Sequence, residues 1–144
     1  MNGNSRILIA GASGAGKTSL IMALRGLEGK APKTQSLVFH SRFIDLPGEY
    51  LTHPYLRKQF LSAAGQAESI LFLLSAGALP SPLPRGLLEQ PGLPLHGVIS
   101  KCDLRNADPD YAEREMARLG VKPPYHRISL RDAASLAPLM APAV

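Results

Sequence analysis

Apolar runs and amphipathic stretches alternate along most of the chain. Residues 6–10 (RILIA) form a short apolar run that feeds a glycine-rich turn, the pattern of a buried strand leading into a loop. Residues 18–27 put Leu20, Ile21 and Leu24 at helical spacing and predict a helix, followed by a polar loop over 29–36. Two short runs, 36–39 and 42–46, meet at His40 and Ser41 and predict a strand hairpin. A loop over 47–54 and a helix over 55–66 come next. Residues 68–75 contain ILFLL, the unbroken apolar run of a parallel strand covered on both faces. Residues 77–95 are rich in proline and glycine and predict at most a short helix near 85–88. Residues 96–100 (HGVIS) predict another buried strand, and 110–119 a helix capped by Asp108 before it and Gly120 after it. A last strand over 124–128 precedes a short helix over 132–140 that Pro138 interrupts. Six strands alternating with helices predict a three-layer α/β sandwich with a mainly parallel sheet and right-handed crossovers. In such sheets a ligand sits beyond the carboxyl ends of the strands.

Composition narrows the class. The 144 residues fit one domain, 1–144, with room for a core that needs no disulfides. Cys102 is the one cysteine, so a disulfide framework is excluded and a reducing compartment is expected. His40, His53, His96 and His126 are scattered, without metal-ligand spacing. No stretch reaches the roughly 18 apolar residues of a membrane helix, and no signal-peptide pattern opens the chain. The expectation is a cytoplasmic protein without a membrane partner. The net charge of +5 does not indicate nucleic acid, because no basic run exceeds two residues and no aromatic platform accompanies them.

The candidate chemistry lies at the predicted strand ends. Gly11-Ala12-Ser13-Gly14-Ala15-Gly16-Lys17-Thr18 matches G-x-x-x-x-G-K-[ST] in full, between a strand and a helix. Glycines let successive backbone N–H groups turn inward around an anion, and the following helix presents its positive end to it. Lys17 is then expected on the β- and γ-phosphates, and the Thr18 hydroxyl on Mg²⁺. Asp45-Leu46-Pro47-Gly48 is a D-x-x-G at a strand end, 27 residues past Thr18. Its carboxylate can hold Mg²⁺ through water, and the Gly48 N–H can meet a γ-phosphate. Ser100-Lys101-Cys102-Asp103 resembles the [N/T/S]-K-x-D element that selects guanine. The Asp103 carboxylate can accept from guanine N1–H and the exocyclic amine, a donor pair that adenine lacks, and the Lys101 stem can lie along the base. Ser100 stands where asparagine is usual, and a hydroxyl cannot replace both ends of an amide. Thr34 lies where a switch threonine would complete the Mg²⁺ ligands Thr18 and Asp45. Ser129 and Leu130 sit where a short element touches the base through its backbone. The expected nucleotide-binding set is Ser13, Gly14, Ala15, Gly16, Lys17, Thr18, Ser19, Ser100, Lys101, Asp103, Leu104, Ser129 and Leu130. Lys17, Thr34, Gly48 and Glu49 are the expected catalytic group, with GTP or GDP and Mg²⁺ as cofactors.

These residues, with Lys33-Thr34-Gln35 and Phe43-Ile44-Asp45-Leu46-Pro47-Gly48-Glu49-Tyr50 followed by His53-Pro54, resemble the ethanolamine-utilization EutP / propanediol-utilization PduV family from about Arg6 to Leu130. The D-x-P-G-E-Y-x-x-H-P stretch and the serine of S-K-x-D are the specific parts. The resemblance implies a Ras-like P-loop fold with a shortened third helix and C-terminus. It also implies a bacterial cytosol and association with microcompartments that process small alcohols or aldehydes. Some members of the family are described as ATP-dependent acetate kinases.

Glu49 occupies the place of the water-orienting glutamine of regulatory GTPases, and its charge beside a γ-phosphate predicts slow hydrolysis. His53 or Tyr50 could substitute if their loop folds inward. Ser13 crowds the position an inserted arginine would use, so no arginine finger is expected. Residues 77–95, with five prolines and exposed-looking leucines, and the apolar stretch 137–144 are the two candidate docking surfaces for a shell protein or enzyme. The leading reading is a slow GTPase or GTP switch; the alternatives are an ATP-dependent phosphotransferase acting on a short-chain acid and a non-hydrolysing nucleotide-binding scaffold.

Overall fold

The computed structural model describes residues 6–11, 15–27, 42–77 and 83–140. Within them five strands form one parallel sheet in the order β2-β1-β3-β4-β5. They are β1 (Ile7–Gly11), β2 (Phe43–Asp45), β3 (Ser69–Ser75), β4 (Leu95–Ser100) and β5 (Tyr125–Arg127). The predicted strand over 36–39 and its hairpin, Thr34, and Ser13 and Gly14 lie outside the described residues. The second run of that predicted hairpin, 42–46, supplies β2, which pairs in parallel with β1, Leu8 opposite Ile44.

The unbroken apolar strands are explained by their two covered faces. On β3, Ile70, Phe72 and Leu74 face one core cluster, and Leu71 and Leu73 face the other. The first cluster is roofed by helices α2 (Glu49–Thr52), α3 (Arg57–Ala64) and α4 (Pro109–Leu119); the second by α1 (Lys17–Leu27) and the 3₁₀ segment Ala133–Met140. This is the expected three-layer sandwich. The caps of α4 fall where its sequence puts them. Asp108 accepts from the Tyr111 N–H at 3.0 Å, and Gly120 takes the left-handed conformation, φ 95°, that closes the helix.

Four sequence readings are corrected. The segment read as a loop over 47–54 contains α2, which starts on Pro47 and Gly48: their carbonyls accept from the Tyr50 and Leu51 N–H groups, and Leu51 is buried. The predicted helix over 55–66 opens with a separate 3₁₀ turn, Pro54–Leu56, because Pro54 begins it. The described leucines of the 77–95 segment are not exposed: Leu83, Leu87 and Leu88 are buried in the first core cluster, with Leu93 and Leu95 packed against it. A 3₁₀ turn, Leu87–Glu89, holds two of them there. The final helix is 3₁₀, whose three-residue turn sets Leu136 and Leu139 on one side, buried in the second core cluster. The described leucines of both candidate docking segments therefore belong to this chain's own core; residues 78–82, with Leu79, and 141–144 are outside the described set.

On the α1 face of β4, His96 is half-buried, with Nε2 buried and without a hydrogen-bond partner. Burial first, and then the neighbouring His126, hold the His96 pKa below the ordinary 6.5. The unfolded chain thus takes up this proton at higher pH than the folded one. His96 costs no stability above pH 6.5, and it withdraws stability as the pH falls from there through the lowered folded value. We expect the Tm of His96→Gln to fall less than that of the wild-type chain between pH 7 and 5, measured by thermal melts across that range.

Candidate functional site

Strand order 2-1-3-4-5 reverses at β1, so connections leave the sheet on opposite faces there and open a crevice at the carboxyl edge. Gly11 ends β1 at that point. A Cβ on it would stand 2.6 Å from the Leu73 carbonyl oxygen of β3, so only glycine lets the chain turn out there. Ala15 and Gly16 lead into α1, which starts at Lys17. The first intrahelical bond runs from the Leu20 N–H to the Gly16 carbonyl at 2.9 Å. Lys17, Thr18 and Ser19 form the first turn of α1, whose N–H groups point toward the helix N-terminus, and α1 carries no acidic residue there to repel an anion. The Thr18 hydroxyl donates to Asp45 Oδ2 at 2.6 Å, so β2 and α1 bring two hard oxygen donors to one point. Gly48 and Glu49 follow one turn later, Gly48 buried and Glu49 exposed at the head of α2.

Beside the loop, a cavity of about 250 Å³ opens between α1 and the ends of β3, β4 and β5. Ala15, Gly16, Ser100, Lys101, Asp103, Leu104 and Leu130 of the expected set line it. Lys101 lies close over the loop, its Cε 4.0 Å from where a Cβ on Gly16 would be. It adopts a left-handed backbone, φ 59°, which throws the chain into the turn carrying Asp103. The Ser100 hydroxyl donates to the Ala15 carbonyl at 2.8 Å, buried, tying the end of β4 to the phosphate loop. Its single proton is committed to the loop rather than to anything in the cavity. The Cys102 thiol faces the Ile99 carbonyl at 3.3 Å, and burial pushes its pKa up, away from the reactive thiolate. Ser129 is buried behind the cavity, its N–H donated to Ser135 Oγ at 3.0 Å, so of that pair Leu130 alone lines the cavity.

The sequence pattern of the family described as PduV-EutP, ethanolamine utilisation – propanediol utilisation, matches residues 4–141. The chain belongs to the PduV-EutP family. It is 34% identical over 137 residues to "Probable acetate kinase EutP" of Salmonella typhimurium, covering 94% of this chain and 86% of that one. It is 38% identical over 99 residues to "Propanediol utilization protein PduV" of Citrobacter freundii, covering 69% of this chain and 66% of that one. The crystal structure of a probable GTP-binding protein engB superposes with a TM-score of 0.65 at 18% identity, covering 94% of each chain. That last likeness is one of fold: this PduV-EutP member shares the parallel α/β architecture of that structure.

Tyr50 and His53 of the D-x-P-G-E-Y-x-x-H-P stretch take different positions. Tyr50 packs against the first core cluster, and the exposed His53 ring lies 5.4 Å from that of Tyr55. Four cavity residues were not in the expected set: Leu20, Leu73, Ile128 and Arg131. The first three carry only a core signal in sequence, and the strand ends turn them into an apolar floor. Arg131 adjoins the expected Ser129-Leu130 pair, which was the available signal; its Nε stands 3.6 Å from Asp103 Oδ2. Among the described residues no helix is long and apolar enough to cross a membrane.

Proposed function

We propose that this protein binds guanine nucleotide with Mg²⁺ and hydrolyses GTP slowly, as a switch serving ethanolamine- or propanediol-type metabolism at a bacterial microcompartment. One observation carries the reading: an aspartate on the S-K-x-D turn shares an apolar-floored cavity with the phosphate loop, beside the joined Thr18 and Asp45 oxygens. The cavity is smaller than the ~300–1,000 Å³ of sites that enclose a whole drug-sized ligand. It suits a purine base, with the phosphates lying outward over the first turn of α1.

The residues fit Mg²⁺. That ion takes one or two protein oxygens and completes its shell with water and phosphate oxygens, so a dense cluster of acidic side chains is not required. Among the described residues no group of three or more His, Cys, Asp or Glu is placed to hold a metal. Thr18 and Asp45 would hold the ion, and Thr34 is the proposed third ligand. When bound, Mg²⁺ neutralises charge on the β- and γ-phosphates. The chain's own part is to grip the phosphates with the α1 N–H groups and Lys17, and to orient the base with Asp103. Glu49 stands at the head of α2 with a carboxylate where an amide would orient water without repelling the γ-phosphate, which supports a low hydrolysis rate.

Thermal melts with nucleotide test the reading. In Mg²⁺ buffer, GTP and GDP at about 100 times their Kd are expected to raise the Tm by roughly 5–10 °C, and ATP by much less. Equal or larger shifts with ATP would defeat the guanine assignment. A second reading draws on the relative named probable acetate kinase: transfer of a phosphoryl group between ATP and a short-chain carboxylate. Acetate-dependent release of ADP from ATP, absent with GTP, would favour it over the first.

A further inference from the structure

We infer that Arg131 sets base affinity by competing with the purine for Asp103, a role that rests on the guanine reading above. Both residues line the same cavity, and the guanidinium Nε is 3.6 Å from Asp103 Oδ2. At that separation the pair is Coulombic rather than a short hydrogen bond, and it can yield. The two partners differ in freedom. The Asp103 side chain is 30% exposed and the Arg131 side chain 88%. Arg131 is fixed by its backbone, whose N–H donates to Ser129 Oγ at 3.2 Å inside the turn closed by the Ser129–Asp132 bridge. Its long side chain can therefore leave Asp103 without disturbing that turn.

Guanine recognition makes the competition selective. N1–H and the exocyclic amine together need both carboxylate oxygens, including the one that faces Arg131. Adenine offers no such donor pair and has no reason to displace the arginine. The ion pair thus opposes guanine and leaves adenine nearly untouched. Its effect is modest, because exposed ion pairs are weak. It is also screened by salt, since the Debye length shrinks from ~30 Å at about 0.01 M to ~3 Å at about 1 M.

The experiment is calorimetric titration of the full chain with GDP and with ADP in Mg²⁺ buffer at those two salt concentrations, for wild type, Arg131→Gln, Arg131→Lys and Asp103→Asn. ADP corrects for the positive charge that Arg131→Gln removes from the neighbourhood of the phosphates. Arg131→Gln is expected to raise the GDP-over-ADP preference about two- to fivefold at low salt, with the gain vanishing at high salt. Arg131→Lys should stay near wild type. An unchanged preference in Arg131→Gln overturns the inference. A reduced preference also overturns it, by making Arg131 a contact to the base. If Asp103→Asn keeps the wild-type guanine preference, the guanine reading fails and the inference falls with it. If Asp103→Asn loses that preference while Arg131→Gln leaves it as in wild type, the inference alone fails.

Discussion

Lys17→Ala is expected to abolish detectable binding of a purine triphosphate while the unliganded protein keeps its Tm within a few degrees. The lysine starts α1, at the end of the helix that carries its positive dipole, and it is half-buried there. Charged donors contribute about 1.5–3 kcal/mol per hydrogen bond. Two phosphate oxygens contacted would make roughly 3–6 kcal/mol, or ~10²- to 10⁴-fold in Kd. Alanine has excellent helix propensity, so the helix start should survive the change. Equilibrium dialysis with labelled triphosphate and a melt of the free protein measure the two halves separately. Binding within tenfold of wild type would mean that this loop does not carry the phosphates. A collapsed Tm would instead place the lysine in the structure of the loop.

Much of this fold was legible because its signals are local. ILFLL reads as a doubly covered strand, and the sheet covers it on both faces with alternate side chains. Asp108 and Gly120 read as caps, and both cap. The motif residues read as neighbours because a parallel sheet delivers its strand ends to one edge, whatever their separation in sequence. What stayed hidden was decided by tertiary packing. Leu83, Leu87 and Leu88 sit among prolines and glycines, a composition that marks loops, yet the gap above the sheet takes them as core. Short helix α2 lies directly after the D-x-x-G, in a stretch too brief for periodicity to register. The cavity floor of Leu20, Leu73 and Ile128 comes from three elements, and no window along the chain contains them together. Ser100 illustrates a partial reading. Its position at the site was visible, but not that its proton belongs to the Ala15 carbonyl, 85 residues away.

Asp103→Asn is expected to exchange the favoured base from guanine to xanthine. Guanine presents two donors, N1–H and the exocyclic amine, and a carboxylate accepts from both. Xanthine has a carbonyl oxygen in place of that amine. An asparagine side chain offers one acceptor and one donor, which matches xanthine and opposes guanine. Hydrogen bonds to a charged group contribute about 1.5–3 kcal/mol each. Asp103 is partly exposed, and solvent trims that figure, so a loss of about 10- to 100-fold in GTP affinity is the expected scale. Xanthosine triphosphate should gain by a similar factor, because the amide now pairs with it and the repulsion between the carboxylate and the new carbonyl is gone. The Ser100 bond to Ala15 is untouched by the change, so the phosphate loop should keep its shape and the affinity for inorganic triphosphate its value. Competition binding with GTP, xanthosine triphosphate and inorganic triphosphate measures all three. An unaltered ratio of the two nucleotides, with triphosphate affinity preserved, would remove Asp103 from base recognition and with it the reason for choosing guanine over adenine.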